Sequence, residues 1–236
     1  MLRALVPNLW VAEQPLKYFG LEVGTRMTVI RSETGGLAVI SPIVIDERLK
    51  QQLDELGQVD HIIAPNLYHH FYVAACKAHY PNAVLWAPSG LKEKKPLLPI
   101  DRLIEPDGSS LWQTISGVYI DGFRTLGAGG WDDLNEWVFF HGESRTLILT
   151  DTAFHFDSSF PWMTQLAAKV SGIYQKLSPS VLEQIATTDK KAMARSIAAV
   201  LRWDFEQVIM AHGSIIEHGG KEQFRAAYKQ FLKNNF

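Results

Sequence analysis

The stretch "RMTVIRSETGGLAVIS", residues 26–41, constrains the fold more than any other part of the chain. Two runs of β-branched and aliphatic residues flank "SETGG", whose Gly35 and Gly36 supply the positive φ of a tight turn, so a β-hairpin is predicted. A hairpin commits the chain to a sheet, and a sheet must bury a face. The next residues supply a cover. "DERLKQQLDELG" has Asp46 as candidate N-cap, Leu49, Leu53 and Leu56 at helical spacing, and Gly57 as the stop. "HIIAP" is short and β-branched, as a buried strand is. "HFYVAACKAHY" reads as a helix ended by Pro81, and "AVLWAP" as another strand.

The second half repeats this mixture. "VYIDGF", "EWVFFH" and "RTLILTD" are predicted strands, the last two joined by "GES" as a second hairpin. "SPSVLEQIATTDKKAMARSIAAVLRW" carries two helical segments, "FEQVIMAHG" is a strand running into a His-Gly turn, and "KEQFRAAYKQFLKN" is a closing helix. Residues 88–116, rich in Pro, Lys and Ser, read as a loop-rich insertion with short structured pieces. No repeat, low-complexity tract or linker divides the chain, so residues 1–236 are expected to form one domain. With 47% of its residues hydrophobic, a chain of this length can bury a full core. Two strand-rich halves, each with its own helices, predict an α+β fold in which two sheets pack together beneath outer helices, a four-layered αββα sandwich.

Charge and cysteine usage narrow the function. The formal net charge is −2 and there is no basic run, so nothing favours nucleic acid or an anionic membrane surface, and a small-molecule ligand is expected. The single cysteine, Cys76, excludes an intramolecular disulfide framework and a cysteine-built zinc site, and agrees with a reducing compartment. "MLRALVPNLWVAEQP" lacks the unbroken apolar region of a signal peptide, and no segment reaches the roughly 18 apolar residues of a membrane span. A soluble, cytoplasmic protein is therefore expected.

Chemistry-bearing residues follow three separate strands: Asn66, Tyr68, His69 and His70 after "HIIAP", Asp151 after "TLILT", and His212 after "VIMA". Strand ends converge on one rim of a sheet, where residues distant in sequence can share a site. In this order of elements the chain resembles the metallo-β-lactamase-fold superfamily, from the hairpin to the His212 turn. "MTVIRSETGGLAVISP" and "APNLYHH" are similar to an uncharacterised branch with an N-x-Y-H-H loop in place of H-x-H-x-D-H. Matched without gaps, the resemblance puts Asn66 and Tyr68 where the first two histidines would stand, His70 at the Asp, Phe71 at the last histidine and Ala128 at the histidine of a T-P-G-H turn. It leaves His70, Asp151 and His212 as ligands of at most one divalent ion, Zn, Fe or Mn. His69 through a shifted register and Glu136 from a neighbouring strand are the alternative ligands.

Adjacent side chains diverge, so His69 and His70 are not expected to hold one ion together. Asn66 and Tyr68 are poor zinc ligands, but an amide and a phenol suit substrate binding. His61 and His79 read as structural, and His155 as a surface or pocket-lining residue. "FPWMTQLAAKVSGIYQKL" spaces Trp162, Met163, Leu166, Val170 and Ile173 as a covering helix, a lid or a homodimer face does. No P-loop, dinucleotide fingerprint or nucleophile elbow is present. Two functions fit: a hydrolase-like enzyme in which one metal ion activates water, of unassigned substrate and catalytic residues, and a non-catalytic binding protein on the same scaffold.

Overall fold

The computed structural model of the chain describes residues 1–105, 115–127 and 130–233. Two outer strands come first, β1 (Arg3–Val6) and β2 (Leu9–Gln14), then a short ribbon of β3 (Lys17–Tyr18) and β4 (Leu21–Glu22). The expected hairpin is β5 (Thr25–Arg31) and β6 (Leu37–Ile40), antiparallel from Thr28 opposite Ile40 to Arg31 opposite Leu37. Its turn uses the two glycines differently from the expectation. Gly35 has φ +91°, whereas Gly36 has an ordinary φ, and a Cβ there would lie 1.9 Å from Asp60 Oδ2. Gly35 is a conformational requirement, whereas a side chain at Gly36 would meet the Asp60 side chain, whose carboxylate can turn away.

Helix α1 (Glu47–Leu56) starts as its sequence predicts, with the Asp46 carboxylate accepting the Leu49 N–H at 2.7 Å. Then come β7 (Val59–Ile63), α2 (Val73–His79), β8 (Val84–Ala87), α3 (Leu91–Lys94) and β9 (Arg102–Leu103). Helix α2 begins later than its sequence suggests, because residues 66–72 form a loop rather than a first turn. Within the expected insertion at 88–116, α3 and β9 are the structured pieces, and 106–114 lie outside the described residues. The second half runs β10 (Ile115–Tyr119), β11 (Arg124–Gly127), β12 (Gly130–Asp133), β13 (Trp137–His141), β14 (Thr146–Ile148), α4 (Trp162–Val170), α5 (Val181–Ala186), α6 (Lys190–Val200), β15 (Gln207–Ile209) and α7 (Gly220–Leu232). Of "VYIDGF" only Val118 and Tyr119 are strand, at the end of β10; the rest turns at Gly122, φ +73°, into β11.

Seven strands make one sheet in the order β1-β2-β5-β6-β7-β8-β9, and four make the other, β10-β13-β14-β15. Period-two alternation assigns each strand's side chains to different layers. In β6, Leu37 and Val39 pack beneath helices with Leu49 and Leu53 of α1 and Val73 and Cys76 of α2, while Ala38 and Ile40 face the second sheet. In β13, Trp137 and Phe139 join that inter-sheet core, and Val138 points outward to Met193 and Ile197 of α6 and Phe224 and Tyr228 of α7. Three stacked cores between helices, sheet, sheet and helices are the αββα sandwich expected from the sequence. Among the described residues no helix is long and apolar enough to cross a membrane.

Candidate metal centre

The loop after β7, the end of β14 and the turn after β15 meet at one rim of the two sheets. His69 Nε2 lies 3.2 Å from Asp151 Oδ2, and His212 Nε2 lies 3.6 Å from Asp151 Oδ1. The two imidazole centroids are 5.1 Å apart. One donor atom from each residue falls within 4.8 Å of the others, and this is the one such group of three found among the described residues.

Each member is held from behind. His212 Nδ1 donates to Gly24 O at 2.6 Å, which fixes its proton on Nδ1 and leaves the Nε2 lone pair facing Asp151. His69 Nδ1 is 2.8 Å from Ser41 Oγ, a residue in the unusual left-handed region at φ +53°. The His212 turn is clamped by Arg26, a buried guanidinium that donates to Met210 O and, at 2.8 Å, to Gly213 O, with Glu13 as its counter-ion at 2.8 Å. Gly213 has φ +85°, and a Cβ there would lie 2.2 Å from His155 O, so the turn admits no other residue without displacement. His155 contributes that backbone contact, and the neighbouring Phe154 ring stacks on His212.

Asp151 is positioned by Glu136. This fully buried carboxylate accepts the backbone N–H groups of Thr150, Asp151 and Thr152 at 2.9, 2.9 and 3.2 Å. Between the two carboxylates sits Asn66, which donates to Asp151 Oδ2 at 2.8 Å, Thr150 Oγ1 at 3.0 Å and Glu136 Oε2 at 3.4 Å. Its carbonyl oxygen accepts the N–H of both Tyr68 and His69 at 2.8 Å, a side-chain turn that sets the direction in which His69 leaves the loop.

The titration behaviour follows from these contacts. Burial works to raise the Asp151 carboxyl, but His69, His212 and the Asn66 amide override it and hold it at about 2. Burial works to lower the His69 imidazole, and the Asp151 carboxylate more than reverses this. His212 is lowered, chiefly by burial. Burial, reinforced by Asp151, raises Glu136.

The structure therefore brings together Asp151, His212 and His69. His70, the first-choice partner from the sequence, is elsewhere: its ring stacks on Phe71 at 4.8 Å, and burial together with Lys95 and Lys94 lowers its pKa, an environment adverse to a cation. Glu136 supports Asp151 from behind. Asn66, expected to bind substrate, has no exposed surface and its amide is fully engaged within the protein. Tyr68 stands at the rim, its hydroxyl donating to Asp132 at 2.7 Å and its ring 3.6 Å beneath the Lys94 ammonium. Ala128 lies outside the described residues. Sequence reasoning missed Ser41, Gly24 and Arg26. A charged residue inside the apolar run of β5 was the available signal for Arg26.

The donor set fits a metal ion. The two Nε2 atoms stand 3.2 and 3.6 Å from different oxygens of Asp151, near the roughly 3.3 Å that tetrahedral bonds of about 2.0–2.1 Å impose on neighbouring ligand atoms, and with one donor atom per residue the three lie within 4.8 Å of one another. Two imidazoles and a carboxylate suit Zn, Fe or Mn.

Glu183 on α5 lies nearby, buried and accepting the Ser180 hydroxyl. Burial pushes its carboxyl from the usual 4.5 up to about 7. The folded protein thus keeps a proton that the unfolded chain releases. Its stabilisation is complete below about pH 4.5 and is lost as the pH climbs through about 7, a difference of ~3 kcal/mol. Glu183→Gln should flatten that part of the stability profile in urea titrations between pH 4.5 and 7.5, and an unchanged slope would mean that Glu183 is ionised when folded.

Comparison with known proteins agrees with this architecture. Residues 7–176 match the family described as Domain of unknown function (DUF4336). None of the curated proteins matches the sequence. Among solved structures, the metallo-β-lactamase DIM-1 exposed to ceftazidime superposes with a TM-score of 0.68 at 13% identity, over 98% of this chain and 96% of that one. A metallo-β-lactamase from Pontibacter korlensis gives 0.65 at 12% identity, over 99% of each chain. The metallo-β-lactamase FIM-1 from Pseudomonas aeruginosa, in its mono-zinc form, gives 0.65 at 12%, over 100% of this chain and 96% of that one. The fold is that of the metallo-β-lactamases.

Proposed function

The chain belongs to the family described as Domain of unknown function (DUF4336), and on that premise we propose that it is a metal-dependent hydrolase of a small molecule, holding one divalent ion through His69, Asp151 and His212. The observation that carries this reading is the orientation of the donors: two imidazole Nε2 atoms and a carboxylate face one another, and both Nδ1 atoms are engaged elsewhere. When bound, a divalent ion supplies a Lewis acid for a carbonyl or phosphoryl oxygen and lowers the pKa of its water.

The protein's own residues provide the rest. Gly24 O and Ser41 Oγ keep the imidazoles oriented, the Asn66 amide helps to keep the Asp151 carboxylate ionised, and Glu136 fixes the backbone that aims it. Tyr68, whose phenol is kept protonated by burial and the Asp132 contact, forms a wall of the rim with Lys94 above it. Substrate meets that wall, while Asn66 acts behind the donors.

Protein purified without added metal should contain about one equivalent of Zn, Fe or Mn by elemental analysis, and His212→Ala should contain almost none. At an ion concentration 100 times Kd, binding stabilises by about 2.7 kcal/mol, so chelator should lower the melting temperature by several degrees in the wild type only. Metal-free protein whose melting ignores both chelator and added ions would sink the proposal and leave a non-catalytic binding protein.

A further inference from the structure

Helix α4 turns only part of its apolar surface inward, and we propose that the outward part, continued by α5, is the contact face between two copies of this chain. Thr164 and Ala168 are the buried residues of α4; Ala168 packs on Phe156 and Ile173, and the Thr164 hydroxyl donates to Glu22 O at 3.0 Å. Trp162, Met163, Leu166 and Val170 on the same helix, and Leu182 and Ile185 on α5, are between 45% and 77% exposed. The two helices meet end to end, Val181 N at the start of α5 donating to Ser171 O at the end of α4 at 3.2 Å.

These six side chains offer on the order of 700 Å² of apolar surface, more than the roughly 300–600 Å² of the largest patch on a typical monomer and close to the ~800 Å² per partner of a standard interface. Their chemistry selects the occupant. Between residues 158 and 188 the exposed charged side chains are Lys169 and Lys176 alone, since Glu183 is buried. Lys169 lies over the Tyr174 ring and Lys176 donates to Gln230. A face with an aromatic, a methionine and few charges is the composition of a protein interface core, and homodimer interfaces are the most apolar class. A helix lying on an anionic bilayer carries a strongly basic polar face instead, which α4 lacks. In a two-fold pair the same patch serves both copies, so one surface is self-sufficient. The proposal does not depend on the metal site.

Sedimentation velocity of the full chain from about 1 to 100 µM, with vesicle co-sedimentation alongside, tests it. The expected result is a dimer that becomes monomeric in both Leu166→Glu and Ile185→Glu, whose far-UV spectra and metal content match the wild type. A wild type that stays monomeric at 100 µM overturns the proposal, as does a dimer that survives both substitutions. A monomer that pellets with phosphatidylcholine or phosphatidylglycerol vesicles also overturns it, and assigns the face to lipid.

Discussion

Glu136→Ala is expected to lower the free energy of unfolding by about 4–6 kcal/mol, read from urea titration at pH 7. Three backbone N–H groups lose their acceptor, two of them on the buried residues Thr150 and Thr152, and each such group costs about 1–3 kcal/mol. One effect opposes this: removing a buried carboxylate relieves its repulsion of Asp151, which helps to raise its pKa. The Asn66 amide already bridges the two carboxylates, so the relief is the smaller quantity. Against a total stability of about 5–15 kcal/mol, the variant would be marginally folded. Glu136→Gln keeps the volume and one acceptor oxygen but turns an NH2 toward the backbone donors, and should lose about half as much. A loss under 1 kcal/mol for the alanine variant would mean that solvent reaches the three amides.

Asn66→Ala is expected to destabilise by about 3–5 kcal/mol and to weaken metal affinity 10- to 100-fold. The stability loss has two sources, the orphaned N–H groups of Tyr68 and His69 and the missing donor between two buried carboxylates. The affinity loss follows because the Asn66 carbonyl oxygen directs the loop so that His69 faces Asp151, and supporting partners of metal ligands carry effects of that size. Isothermal titration with Zn reads the second quantity independently of the first. In the Glu136→Ala/Asn66→Ala double variant the losses should fall short of additive by about 0.5–3 kcal/mol, since both residues act on Asp151. Strict additivity would show that Asn66 and Glu136 work separately.

The elements that were legible in the sequence are those whose signal is local. The β5–β6 hairpin, the Asp46-capped helix α1 and the strands β7, β8 and β13 follow from period and turn chemistry within about ten residues. Strands β1 and β2 are not legible, since Pro7 interrupts the apolar run between them and Pro15 ends it, and β3 and β4 are too short to show alternation. Helix α4 was visible as an apolar helix, but which side it buries depends on the Glu22 carbonyl and Phe156, more than a hundred residues before it and six before it respectively.

For the site, the sequence by itself determined that ligand-type residues stand at three strand ends, because strands end where their apolar runs end and loops take the polar residues. Which histidine of the pair faces Asp151 was decided only in the tertiary structure. His69 and His70 have identical chemistry and adjacent positions, so nothing local separates them. The choice is made by Asn66, which turns the loop, by Ser41 from the hairpin, which receives the His69 ring, and by Glu136 from the other sheet, which holds Asp151 in place. These partners come from both sheets, and only the packing of one sheet on the other brings them within hydrogen-bond reach.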